Sequence, residues 1–477
     1  MAIDPIDTRA PLSGFTMKPR WAIGLCFLVA ALVCLPALRG GFVIDDAYLV
    51  VGNPDIRSLG NIPGFFARPW GGGERGAGHA GVNAAYFRPL TTTLHAVEFA
   101  VFGLRPWGWH LVSILLHAAA TGLGTWLAAR ILGSVAAALV AGLVFAVHPV
   151  HTEAVAAVCY QTTLLAGLLA VLALSALARV LGPGKTTGRW VALAALATAA
   201  AGLAKEEAVV VPVLGAAWVL LAPSPQRRRV LLWGVGSMGL AAAAAIAVRS
   251  AIVAGSSITY FGPAGAGVVA PTMARVVALY AELLVAPFRL CPFYDWFIIP
   301  PSAAISAEVV LGLLLAVAVV LGVWLASRRA PGGAIGLGWM ALGLLPVMHF
   351  VPILNVAAER FLYLPSFGFA LTLGALFQWA CGRKRRLAFG AAVGLVLLFG
   401  ARTLVRWPTW RDDRTLNQAT AAAFPQTPTP LINLANLALA AGDRASALRY
   451  LEEAQRRAPG WPVAARMAEK LRTETSR

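Results

Sequence analysis

Long apolar stretches, cut at intervals by Pro, Gly and clusters of Arg, run through nearly the whole chain. About eleven of them approach the ~20 residues a helix needs to cross the hydrocarbon core. They fall at 21–38, 109–131, 134–152, 155–178, 190–206, 207–222, 230–254, 306–326, 334–352, 362–381 and 387–403. The pattern predicts an all-α polytopic membrane protein. One further run, TMARVVALYAELLVAPFRL at 272–290, carries Arg275, Glu282, Pro287 and Arg289. It reads as interfacial or re-entrant rather than as a crossing. The first run follows a polar stretch with Arg9, Lys18 and Arg20, and reads as an uncleaved span behind a cytoplasmic tail, 1–20.

Composition agrees. Hydrophobic residues make up 59% of 477 and charged residues 13%, with mean hydropathy +0.73. A soluble globular chain carries roughly 25% charged residues. The formal net charge of +18 would suit nucleic acid, but the cations sit in short clusters between apolar runs. Arg130, then Arg179, Lys185 and Arg189, then Arg227–Arg229, Arg328–Arg329 and Arg383–Arg386 mark the cytoplasmic connections. This puts the N-terminus inside. The acids, from Asp45 and Asp46 through Glu98, Glu153, Glu206, Glu207, Glu282 and Asp295 to Glu359, then map to the opposite, extracytoplasmic side. Cys26, Cys34, Cys159, Cys291 and Cys381 form no CxxC pair and read as packing residues.

The first extracytoplasmic loop, 39–108, is long, and long loops tend to carry function. It holds IDDAYLVVGNPDI, a Gly-rich patch (GGGERGAGHAG) and AAYFRPLTTTLHAVEFAVFG. Residues 86–103 read as a helix on the interface, with Trp107 and Trp109 as aromatic anchors. Asp45 and Asp46 are candidates for a general base that takes a hydroxyl proton. The second carboxylate would orient the first or hold a divalent cation, Mg or Mn. The plainer alternative is a helix N-cap. Arg88 in YFRPL, Lys205 beside Glu206, and Arg360 beside Glu359 all fall at outer helix ends and together suit an anionic headgroup. Taken singly, each reads as a snorkelling residue or an ion pair.

HPVHTEAV, starting at residue 148, brings His148, His151 and Glu153 close together, but it is not HExxH, and Pro149 disturbs regular ligand geometry. Hydrogen bonding to a substrate, or packing at a kinked helix end, fits better than zinc. His110 and His117 share a helix face and read as helix–helix hydrogen-bonding residues. After 403 the chain turns polar. Residues 404–427 read as a linker, and 428–477 as a helical hairpin. Leu434, Ala435, Gly442, Ala447, Leu451, Ala454 and Pro459 match one tetratricopeptide repeat, which must lean on flanking helices near 413–423 and 461–473, on the membrane domain or on a partner.

The order IDD, YFRPLT, GWHLVSILLH, HPVHTEAV, AKEEAVVVP, AERFLYLPSFGFAL and a repeat-like tail resembles the TMTC-type proteins, transmembrane and tetratricopeptide-repeat glycosyltransferases of the GT-C superfamily. The resemblance covers nearly the whole chain. It implies a GT-C-like bundle over 21–403 and a polyprenyl-phosphate monosaccharide donor, such as dolichyl-phosphate mannose in eukaryotes. It implies inverting transfer to a hydroxyl of a protein Ser or Thr, or of a glycan, on the extracytoplasmic face. One of Asp45 and Asp46 would be the base. Donor binding would draw on Arg88, Lys205, Arg360, His148, His151, Glu153, Glu206, Glu359 and Tyr363. The setting would be a bacterial inner membrane, with a periplasmic tail open to a protein partner. A single repeat, where eukaryotic members have a long array, leaves the acceptor open. Two other classes compete: a lipid or sugar transporter or flippase, for which no convincing internal repeat of spans is found, and a non-catalytic scaffold presenting the hairpin.

Overall fold

The computed structural model describes residues 17–70, 86–182, 187–222, 226–253, 260–261 and 265–475. The Gly-rich patch with Glu74, most of the N-terminal tail and Lys185 lie outside them. The described residues contain helices and no strand. In order these are α1 (Pro19–Cys34), α2 (Pro89–Phe102), α3 (Pro106–Leu132), α4 (Val135–Val147), α5 (Gln161–Leu181), α6 (Thr187–Ala204), α7 (Val211–Leu221) and α8 (Gly236–Ile252). Then come α9 (Ala266–Val285), α10 (Ala307–Arg329), α11 (Pro331–Leu344) and α12 (Tyr363–Arg406), followed by α13 (Asp413–Ala423), α14 (Thr429–Ala440), α15 (Arg444–Arg457) and α16 (Pro462–Thr475).

Seven described helices are long and apolar enough to cross a membrane alone, and eight if the bent pair Val135–Val147 and Pro149–Ala156 counts as one. The expected spans 362–381 and 387–403 form one run, broken at Lys384 (φ −139°, ψ 71°) within the Arg383–Arg386 cluster. The expected spans at 190–206, 207–222 and 334–352 are short helices, Gly188–Ala204, Val211–Leu221 and Pro331–Val347. They are short because charged or Pro-containing segments end them: Lys205–Glu207 between α6 and α7, and Pro346 after α11. The core forms where α12 packs on α11 and α4, α5 on α6, and α1 on α3. Gly336 and Gly368 let α11 and α12 touch backbone to backbone, since a Cβ on Gly368 would lie 2.4 Å from the Met340 nitrogen.

Helix α9 is apolar enough to cross, yet its contacts make it lie across one end of the bundle. Tyr260, just before it, donates its backbone N–H to Ile353 O (3.2 Å). Tyr280 Oη accepts from Ala358 N (3.4 Å), and His148 Nε2 is 2.9 Å from Leu284 O. Residues 286–306 fold back along it, with Ser302 N donating to Thr272 Oγ1 and Arg275 donating to Pro300 O. The segment before α9, its middle and its end therefore touch the same side, the arrangement expected of an interfacial helix.

The expected linker 404–427 is helical and docked. Asp412 caps α13 by accepting from Thr415 N (2.8 Å), and Leu416 and Thr420 are buried. The hairpin α14–α15 turns at Gly442 (φ 77°), a left-handed conformation that suits glycine. Leu434, Ala435, Ala447, Leu451 and Ala454 pack with Ala421 of α13 and with Ala464, Ala468 and Leu471 of α16. The hydroxyls of Thr427 and Thr429 donate to Asp295, and Trp461 stacks edge-on against Phe297. The tail thus sits on the end of the bundle crossed by α9.

Candidate active site

At that same end four helices break, and each break carries charge. Asp45 and Asp46 follow a turn at Ile44, whose φ of 56° is a left-handed conformation that costs a β-branched residue roughly 1–2 kcal/mol. The turn sends two adjacent acids in opposite directions. Asp46 is fully buried and accepts from Val43 N (3.0 Å), Val158 N (3.1 Å) and Cys159 N (2.6 Å). It satisfies N–H groups at the start of the Val158–Tyr160 turn that opens α5, where a helix leaves such groups without partners. Asp45 is exposed, and its charge lies within electrostatic range of Tyr86 and Tyr160.

Burial pushes the Asp46 carboxyl up from its ordinary 3.8 to about 6, against the pull of its three N–H bonds. A carboxyl with a raised folded-state pKa stabilises most when both states are protonated. That contribution is full below pH 4 and is lost as pH rises through about 6. The expected loss is on the order of 3 kcal/mol, so the melting temperature of the wild type should fall more steeply between pH 4 and 6 than that of Asp46→Asn. Equal slopes in detergent-solubilised protein would refute this.

The cations converge, but each already has a carboxylate. Arg88 holds Glu206 in a bidentate pair (2.7 and 3.1 Å). Lys205 Nζ lies 2.9 Å from Glu207 and donates to Thr163 Oγ1 (3.0 Å). The Arg360 side chain pairs with buried Glu153, and its backbone N–H donates to the same carboxylate (2.6 Å). Lys205 is within electrostatic range of both Arg88 and Arg360. Arg360 lies 4.0 Å over the Tyr160 ring, and Arg88 lies 4.4 Å over Tyr86. Between Lys205, Glu207, Arg360 and Tyr363 is a cavity of about 30 Å³, room for one water. Glu359 is turned away toward buried Arg406 (3.7 Å).

The histidines of the candidate site are buried and bonded to neighbouring elements. His148 reaches α9, and His151 Nε2 is 2.9 Å from Ser366 Oγ. His117 lies 3.1 Å from Tyr363 Oη, and the rings of His117 and Tyr363 each lie 5.0 Å from that of His151. His151 thereby joins the bent helix at 147–156 to α12, and His148 joins it to α9. Trp107 is exposed, but Trp109, expected at the interface, is buried and donates to Gly103 O (3.0 Å). The reason is the glycine turn at 103, which folds α2 back over α3.

A chelating Asp45–Asp46 pair does not fit, because three N–H groups occupy the Asp46 oxygens. Among the described residues no group of three or more His, Cys, Asp or Glu is placed to hold a metal. The sequence reading missed Asp413, whose Oδ1 accepts the Ile44 N–H at 2.8 Å across 369 residues. The only sequence signal was the DDRT helix-start pattern, which marks a cap and not its distant partner.

No family model matches the chain. It is 25% identical over 511 residues to the human protein O-mannosyl-transferase TMTC4, covering 94% of this chain and 68% of that one. The mouse TMTC4 protein gives 25% over 499 residues, with 91% and 66% covered. The chain thus spans about two thirds of the length of these relatives. It is 38% identical to mouse TMTC2 over 143 residues, 29% of this chain and 16% of that one. Among solved structures, ArnT from Cupriavidus metallidurans bound to undecaprenyl phosphate aligns with a TM-score of 0.44 and 17% identity, covering 92% of this chain and 76% of that one.

Proposed function

We propose that this chain, a TMTC-type member of the GT-C superfamily, is a membrane glycosyltransferase that moves a monosaccharide from a polyprenyl-phosphate donor to a hydroxyl of a protein acceptor. The observation that carries the reading is the strained turn at Ile44, which leaves Asp45 exposed within electrostatic range of Tyr86 and Tyr160 while Asp46 is consumed as a backbone anchor. Asp45 takes the acceptor hydroxyl proton as that oxygen attacks the anomeric carbon. The bond from that carbon to the phosphate oxygen breaks, and polyprenyl phosphate leaves with the electron pair. Attack opposite the leaving group inverts the configuration. Lys205 and Arg360 meet the growing negative charge. Their carboxylate partners keep them in place in the resting protein, and Glu207, the partly exposed one, gives way to the phosphate.

In this reading, which follows the positive-inside pattern of the Arg clusters, the site and the tail face the extracytoplasmic side of the membrane. The docked hairpin then stands next to the acceptor's approach.

The test is turnover by the purified full-length chain in nanodiscs. Polyprenyl-phosphate mannose is the probe, and an extracytoplasmic Ser/Thr-rich peptide is the acceptor. A hexose added to the peptide with equimolar release of polyprenyl phosphate supports the reading. Neither product, with donor shown to bind, would sink it.

Asp413 serves as a positioning residue for Asp45. Asp413→Ala leaves the Ile44 N–H without its acceptor, and kcat should drop about tenfold, ~1.4 kcal/mol, with KM nearly unchanged. Asp413→Asn keeps an acceptor oxygen and should recover most of the rate. A shared loss in both variants would contradict this role.

A further inference from the structure

A second cavity, of about 400 Å³, lies beneath the acid-bearing turn, where the ends of α1 and α12 meet α3. Its charged lining is basic, and one buried indole N–H faces it. Arg39 and Arg411 stand at its rim, both exposed and, among the described residues, without an ion pair. The indole N–H of Trp410 is buried there without a hydrogen-bond partner, while His110 donates its Nε2–H to Gly41 O (3.2 Å). No carboxylate lines it. This sets it apart from the site above, where Arg88, Lys205 and Arg360 are each neutralised by a glutamate.

The rest of the lining is apolar and runs out toward the membrane-facing surface. Pro36, Leu404 and Trp407 form the wall, and Leu32, Leu35 and Val405 continue it as exposed apolar side chains on α1 and α12. Two arginine forks beside a buried indole N–H suit a phosphate. An apolar strip below them suits an acyl chain.

We infer that this cavity binds the phosphate of an anionic phospholipid at the border of the bilayer. The inference does not depend on sugar transfer. A zwitterionic choline headgroup would bring a cation toward Arg39 and Arg411, so lipids with a net negative headgroup are preferred. A bound lipid would also brace the catalytic turn from both sides. Arg39 and Gly40 lead into the turn, and the carbonyl of Arg411 accepts the Gly41 N–H at 2.8 Å, two residues before Asp413.

The experiment is native mass spectrometry of the full-length chain released from nanodiscs holding phosphatidylglycerol or phosphatidylcholine. The wild type should retain one phosphatidylglycerol, at least tenfold more than the double variant Arg39→Ala/Arg411→Ala. It should not retain phosphatidylcholine to the same degree. Trp410→Phe, which removes one N–H and keeps the ring, should show an intermediate loss even if the double variant is poorly folded. Added inorganic phosphate should leave the lipid in place. Equal retention by the variants, equal retention of the two lipids, or full displacement by inorganic phosphate would each overturn the inference.

Discussion

Asp45→Asn is expected to lower the transfer rate by roughly 10²–10⁴-fold, the range typical of a lost general base, and to leave thermal unfolding unchanged. The two halves of this expectation come from one fact. Asp45 is exposed, so an isosteric amide there removes no buried charge. The amide accepts no proton at neutral pH, so the acceptor hydroxyl stays a poor nucleophile. Donor binding should persist, because the cations that would face the phosphate lie on other segments. Steady-state turnover together with donor-binding and melting measurements separates these terms. Wild-type turnover in Asp45→Asn would remove Asp45 from the chemistry. A matching loss of melting temperature would mean that the exposed acid is structural after all.

Arg360→Ala is expected to cost about 3–5 kcal/mol of stability, the range found when one partner of a buried ion pair is removed. Glu153 is fully buried, and its carboxylate holds both the Arg360 side chain and the Arg360 backbone N–H. Without the guanidinium a charge remains buried between the bent helix at 149–156 and the turn at 359–362. Glu153→Gln should be milder in the Arg360→Ala background than in the wild type, since there is no longer a cation to orphan. A double-mutant cycle on melting temperature checks this. Strict additivity would show that the two residues do not act as a pair.

Both predictions rest on features that differ in how far the sequence exposes them. The apolar runs announce their helices, and the small residues of the hairpin, Ala435, Ala447 and Ala454, announce that two helices must approach closely. The charged helix ends are also legible, because a cation beside an acid in apolar sequence demands an explanation. What the sequence does not carry is the pairing. Arg360 meets Glu153 across 207 residues, and Asp46 meets Cys159 across 113. Nothing local distinguishes an inward-facing Asp46 from an outward-facing Asp45. The choice is made by the backbone N–H groups of a distant helix start, which need an acceptor. The same limit explains α9. Hydropathy records that a segment prefers lipid or a protein core, but a helix that lies and a helix that crosses satisfy it equally. Its orientation comes from Tyr260, Tyr280 and Leu284 each finding partners on one side. Asp413 was invisible for another reason. The carboxylate sits in a polar stretch that reads as a connection, while its partner is a main-chain N–H, which leaves no mark in side-chain pattern.

The Asp413–Ile44 bond also imposes an order in time. Ile44 leaves the ribosome 369 residues before the carboxylate that holds it. Until the final spans have inserted and residue 413 has reached the same side, the turn has no acceptor to offset its left-handed strain. A nascent chain can therefore possess both aspartates, and every cation from Arg88 to Arg360, without yet holding Asp45 where the proposed base must stand. The turn is secured only after every helix from α1 to α12 has been made.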